Sequence, residues 1–317
     1  MIVMKNIFFF LIGLLAVSCA WMQKRNHEIS RIQMEPLVIL VKPDPITGLE
    51  TFNAHQLLQE GNSLFQQQKY ELAIKVYDRI ITVFDQSEHL PLAYLNKALS
   101  YENLQKFTLA IVEYETFISR FQSHEDYIFA KFRLATCYAA ENNWTRSVEI
   151  FDALSKMKLD TQDYIEAVVS MNLGLYMLRY YEIAESGFAQ IVHQYEDNSA
   201  QNSPVIRFQL AQAFYYLGEI YYQYFEASQI PLPDGNNDDA VQQQLETKCQ
   251  FLLRAQTNYI KALRQGNFEW ATRAGFRIGN LYETFYNQLK TMPKPSELSE
   301  EQHQVYFEEL LKKIAIL

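Results

Sequence analysis

The chain has 317 residues, with 28 Lys and Arg against 37 Asp and Glu and a formal net charge of −9. Its 49% apolar and 21% charged residues are a globular composition, which excludes a disordered or collagen-like chain. An acidic balance without a cationic run argues against nucleic acid as a partner, because phosphate binding needs clustered Lys and Arg.

Ten Gly and nine Pro are too few for a turn-rich β protein, and three cysteines are too few for a disulfide scaffold. The 21 Phe and 21 Tyr call for a fold that stacks rings repeatedly.

The chain opens with MIVMKNIFFFLIGLLAVSC. Lys5 is a positive n-region, and Ile7–Val17 is an apolar run too short for a spanning helix, which needs about 20 residues. This predicts a signal peptide over 1–18. Ala16, Val17, Ser18 and Cys19 resemble a bacterial lipobox, which implies acylation of Cys19 and membrane contact through that lipid anchor only. Ala20, in place of Asp, implies the outer membrane and its periplasmic face by the same resemblance. Residues 19–52 carry Pro36, Pro43 and Pro45 and no helical period, so a tether is expected, with Leu37–Val41 a short strand or extended segment.

From residue 53 the sequence repeats. Segments 64–81, 101–118, 138–155 and 175–192 superimpose without a gap at a spacing of 37. One column holds Tyr70, Phe107, Trp144 and Tyr181. Three residues on stand Ala73, Ala110, Ser147 and Ala184, then Tyr77, Tyr114, Phe151 and Phe188, then Ile80, Phe117, Leu154 and Ile191. Steps of three and four describe one helix face. An upstream helix in each unit carries a small residue at Gly61, Ala98 or Ala135. A single hairpin of this kind cannot bury its apolar face alone, whereas stacked neighbours can.

The pattern resembles the tetratricopeptide repeat (TPR), which implies an all-α TPR-type solenoid over 53–317. Two less regular units follow. Leu217–Tyr221 restarts a first helix, a loop intrudes at 230–240, and its partner resumes over 252–263. A sixth first helix is expected at 270–289, with Gly279 and Tyr282 in the repeat's places. Ser299 and Gln302 can cap a last, capping helix to about Lys313, giving about six hairpins.

No phosphate loop, HExxH, CxxC or GxSxG is present, and His27, His55, His89, His124, His193 and His303 lack ligand spacing. No catalytic centre, cofactor or metal site is therefore expected. Asp234–Asp239 alternates oxygen ligands, but Asp239 and Leu245 stand where a calcium loop needs Gly and Glu. Cys137 and Cys249 fall in units that are not neighbours, so buried thiols are the simpler reading.

Within a TPR array the first helices line the binding face. The resemblance places Leu58, Asn62, Leu95, Asn96, Leu99, Phe129, Phe132, Arg133, Tyr176, Tyr215 and Tyr222 there. Asn62, Asn96 and Arg133 stand at three of the five places of a TPR carboxylate clamp, but Leu58 and Phe129 replace its two lysines, which removes the charge-assisted bonds. The face would suit an amphipathic helix or extended peptide with large side chains, or instead be filled by the chain's own segments.

Residues of about 250–313 resemble TPR proteins of myxobacterial gliding-motility and envelope machinery. This implies a non-enzymatic scaffold binding other envelope proteins. Two alternatives stay open: a lipoprotein of outer-membrane protein assembly or secretin piloting, and a glycan or small-ligand receptor that stacks sugars on the aromatic face.

Overall fold

The computed structural model describes residues 38–41, 49–195, 203–229, 238–290, 299, 301–302, 304–305 and 307–308. The expected signal peptide and Cys19, most of the tether, and the Asp234–Asn237 part of the calcium-like loop lie outside them. The chain divides into two compact units, residues 1–54 and 55–317. In the first, β1 (Val38–Val41) pairs antiparallel with β2 (Leu49–Phe52), with Val38 opposite Phe52 and Val41 opposite Leu49. The sequence suggested a strand near 37–41. Its partner was not anticipated, because Leu49–Phe52 runs straight into the first helix without a turn signal.

Among the described residues, the regular elements of the second unit are all helices. Five hairpins follow in order: α1 (Ala54–Gln66) with α2 (Tyr70–Val83), α3 (Leu90–Asn103) with α4 (Phe107–Arg120), α5 (Tyr127–Ala140) with α6 (Trp144–Ser155), α7 (Thr161–Met177) with α8 (Tyr181–Tyr195), and α9 (Pro204–Ala227) with α10 (Asp238–Arg264). A sixth first helix, α11 (Phe268–Lys290), packs on α9 and α10. From α2 onward successive helices pack in chain order, as the repeat requires, and Gly61 on α1 lies against Tyr77 on α2. Residues 301, 302, 304, 305, 307 and 308 are helical, and the expected cap is made: the Ser299 N–H donates to Gln302 Oε1 at 2.9 Å and the Gln302 N–H to Ser299 Oγ at 3.3 Å.

The repeat columns are the core. Ala73, Ala110, Ser147 and Ala184 are buried, as are Tyr77, Tyr114, Phe151 and Phe188, and Ile80, Phe117, Leu154 and Ile191. Gly61 is required by close approach: a Cβ there would lie 2.5 Å from Cε1 of Tyr77, and one at Gly218 would lie 2.5 Å from Cε1 of Tyr259. The fourth unit inverts this arrangement. The step of 37 puts Asn172 in the small column, and Gly187 on α8 makes the room, since a Cβ there would sit 2.0 Å from Asn172 Oδ1.

The hairpin turns repeat too. Gln68, Gln105, Asn142 and Arg179 all have positive φ, between 57° and 65°, and stand 37 residues apart. At each, the next residue's N–H reaches back five residues, as in Lys69 to Leu64 and Tyr180 to Leu175, both at 2.9 Å. This is the Schellman closure of a first helix, built four times without glycine.

One expectation needs correcting. The partner helix was expected over 252–263, but α10 runs from Asp238 to Arg264, so it begins inside the expected 230–240 loop. Leu245, Lys248, Cys249 and Leu252 lie on one helical face and turn toward the core. The buried Lys248 Nζ donates at 2.6 Å to the carbonyls of Phe225 and Ser228, closing the C-terminus of α9, and burial lowers its pKa. A lysine amid glutamines carries no apolar signal, which is why the sequence hid this turn of helix.

Candidate functional site

Three first helices in the middle of the array present matching faces. Relative to the small column, positions −6, −2, +1 and +5 lie on one side of a helix. On α3 these are Leu92, Asn96, Leu99 and Asn103, on α5 Phe129, Arg133, Thr136 and Ala140, and on α7 Glu166, Ser170, Leu173 and Met177. Phe129 is 44% exposed and Met177 43% exposed. Most of the rest are half-buried, so this face keeps apolar surface in contact with solvent beside polar groups.

The polar groups are tied into ladders. The Tyr77 hydroxyl donates to Asn62 Oδ1 at 2.9 Å, and Asn96 Nδ2 of the next hairpin donates to the same oxygen at 2.9 Å. The same plan recurs in the fifth unit. There the Tyr259 hydroxyl donates to Glu219 Oε1 at 2.7 Å, and Arg277 grips both Glu219 oxygens, each at 2.5 Å.

Between them, the Tyr114 hydroxyl donates to Glu102 Oε2 at 2.8 Å, and Arg133 bonds both Glu102 oxygens, through Nε at 3.1 Å and through Nη2. Each ladder joins a second-helix tyrosine, a first-helix acceptor of the same hairpin and a donor two residues before the next small position. Phe151 and Phe188 occupy the tyrosine column of units three and four. They have no hydroxyl and need no acceptor.

Burial shapes the titration of these groups. It raises the pKa of Tyr77, Tyr114 and Tyr259 and pushes the Cys137 thiol up to about 12. For Arg133 and Arg277 burial alone would favour the neutral form, but the bonds to Glu102 and Glu219 more than offset it and the net shift is upward. Cys137 and Cys249 are both free and buried.

The Glu166 carboxyl is raised, first by burial and then by Asp163, against the pull of Arg133. A carboxyl raised by folding takes up a proton that the unfolded chain has already released, so stability falls as pH climbs from the ordinary glutamate value to the raised one. Glu166→Gln is therefore expected to raise the melting temperature at pH 7 and leave it unchanged at pH 4, read by thermal melts at the two pH values.

The residues expected on the binding face separate into four groups. Leu58, Leu95, Phe132 and Tyr222 are buried. Phe132 packs 6.0 Å from the ring of Phe151, and Tyr222 lies under the Arg277 guanidinium at 4.2 Å with its hydroxyl 3.3 Å from Thr284 Oγ1. Leu99, Tyr176 and Tyr215 are half-buried. Tyr176 meets Tyr216 at 5.1 Å, and Tyr215 meets Trp270 at 5.3 Å. Asn62, Asn96 and Arg133 are half-buried and occupied by the ladders. Phe129 alone of the set is substantially exposed.

Sequence reasoning passed over Glu102, Glu219, Arg277 and Glu166. Asn96, Arg133 and Arg277 share the place two before a small residue, and that alignment was the available signal. Among the described residues no group of three His, Cys, Asp or Glu side chains could hold a metal ion, and no helix is long and apolar enough to cross a membrane.

The tetratricopeptide repeat family model matches residues 57–87 and 92–124, the spans of the first two hairpins. No curated protein matches the chain. Similar solved structures include YrrB, described as a TPR protein with an unusual peptide-binding site, at 17% identity over 70% of this chain and 92% of that one, with a TM-score of 0.44. A tetratricopeptide repeat protein from Parabacteroides merdae is 13% identical over 83% of this chain and 98% of that one, with a TM-score of 0.42. A thermophilic TPR protein of Thermus thermophilus is 16% identical over 70% and 97%, with a TM-score of 0.40.

Proposed function

We propose that this chain is a non-enzymatic scaffold that binds other proteins through the first-helix face of its middle hairpins. Phe129 carries the reading. It is a large ring, 44% exposed, on a face whose neighbouring polar groups at Asn96 and Arg133 are already bonded within the chain. Such a face can bury apolar side chains of a partner without leaving its own charges unpaired. The ladders also place Glu102 and Glu219 in saturated contacts, which suits a rigid surface better than proton transfer.

The lipobox resemblance at Cys19 supports an outer-membrane lipoprotein facing the periplasm. The likeness of about 250–313 to gliding-motility and envelope TPR proteins supports partners in an envelope-spanning complex. Cys19→Ser is expected to release the protein from the membrane fraction, and retention of the variant there would exclude a lipid anchor.

Crosslinking in intact cells tests the partner. Phe129→Asp is expected to weaken capture of envelope proteins at least about tenfold with the melting temperature unchanged, the behaviour of an exposed anchor residue. Phe132 cannot serve in this test, since it is packed in the core. Recovery of barrel-assembly or secretin subunits would favour the assembly reading, and a saturable thermal shift with oligosaccharides would favour the glycan reading. Undiminished capture by Phe129→Asp would remove this face from the function.

A further inference from the structure

The pairing of charges on the first-helix face has one exception. Over α1, α3, α5, α7 and α9 the four face positions hold only three acidic or basic residues, Arg133, Glu166 and Glu219. Arg133 is bonded to Glu102, and Glu219 to Arg277. Glu166 is half-buried, and among the described residues no cation pairs with it. Arg133 is the only positive charge felt at its carboxyl, and that guanidinium is committed to Glu102.

The start of α7 does not account for Glu166. Asp160 caps that helix by accepting the Asp163 N–H at 2.9 Å, and Asp163 stands in the first turn. A helix dipole favours carboxylates within about one turn of its start, and Glu166 lies beyond it. Folding half-buries this carboxyl near Asp163, a charge of the same sign, and supplies no partner in return. A side chain kept at a loss of stability in the isolated chain is the expected mark of a binding site.

Its neighbours give the rest of the chemistry. Glu166 and Phe129 hold the same place on the first helices of consecutive hairpins, six before the small column, and Leu173 and Met177 follow Glu166 on its own helix face. Phe129 and Met177 are exposed. We propose that the partner segment seated here carries a lysine or arginine next to a large apolar side chain, with the cation on Glu166 and the apolar group against Phe129. This deepens the binding role proposed above and rests on it. A carboxylate already stripped of part of its water gains from a cation that brings charge-assisted hydrogen bonds, and Glu166 and Asp163 together would turn an acidic partner away.

Selection of displayed random dodecapeptides on the full chain tests this. The native chain is expected to enrich peptides in which Lys or Arg neighbours Leu, Ile, Met or an aromatic residue, and Glu166→Lys to enrich Asp or Glu in the cation's place. A synthetic peptide of the first class should bind Glu166→Gln at least about tenfold more weakly than the native chain. That variant is expected to be the more stable at pH 7, so its lost affinity would not be lost folding. Peptides that need Phe129 but carry the same charges whichever residue stands at 166 would overturn this inference and leave the binding face standing. Failure to enrich any peptide sensitive to Phe129→Asp would remove both.

Discussion

Glu219→Ala is expected to cost about 3 kcal/mol of stability, read as a shift in the urea midpoint at unchanged slope. The carboxylate lies at the junction of three helices, α9, α10 and α11. Its side chain is 10% exposed and that of Arg277 21% exposed. Removing it strands a guanidinium and the hydroxyl of Tyr259, a side chain that is itself fully buried. The cost comes from leaving those groups unpaired in a poorly solvated place, since a paired buried charge adds little net stability.

The same reasoning predicts that the triple change Glu219→Leu, Tyr259→Phe, Arg277→Leu costs less than the single one. Units three and four already run on that chemistry, with Phe151 and Phe188 in the tyrosine's place. If the triple variant is the less stable, the ladder contributes net stability of its own. Glu219→Gln keeps an acceptor for Tyr259 but loses the charge facing Arg277, and should fall between the native chain and the alanine variant.

The ladders also show where the sequence was legible. The 37-residue spacing of aromatic and small residues placed the buried second-helix columns of the first four units, those that begin at Ala73, Tyr77 and Ile80, because period and burial are two readings of one helix face. It did not reveal the turns, since Gln68, Gln105, Asn142 and Arg179 take the left-handed conformation without the glycine that usually marks it. Nor did it separate face from core on the first helices. Leu58, Leu95 and Phe132 share a column that the hairpin's own second helix covers, and only coordinates show how far round that cover extends. Polar partners were harder still. Glu102 stands four residues after its small position and Glu219 one after, yet both meet the tyrosine of their hairpin. Long side chains reach the same oxygen from different turns, so no fixed spacing marks them.

The inverted fourth unit gives the sharpest test of this packing account. Gly187→Ala should destabilise the chain by about 2 kcal/mol, although alanine is the better helix former by nearly 1. The added methyl would fall 2.0 Å from Oδ1 of Asn172, a residue only 1% exposed whose Nδ2 donates to the Val168 carbonyl at 2.8 Å. The amide must leave its place with no water to receive it.

Asn172→Ala alone should cost about 1 kcal/mol, for the small void it opens beside Gly187. Together the two changes recreate the pattern of the second and third units, where Ala98 and Ala135 fill the small column and Glu113 and Ile150 stand in the place of Gly187. The double variant should match or exceed the native stability, giving a coupling energy of about 3 kcal/mol in a double-mutant cycle. Additive costs would mean that Asn172 and Gly187 do not share one space, and that the close approach of α7 and α8 has another cause.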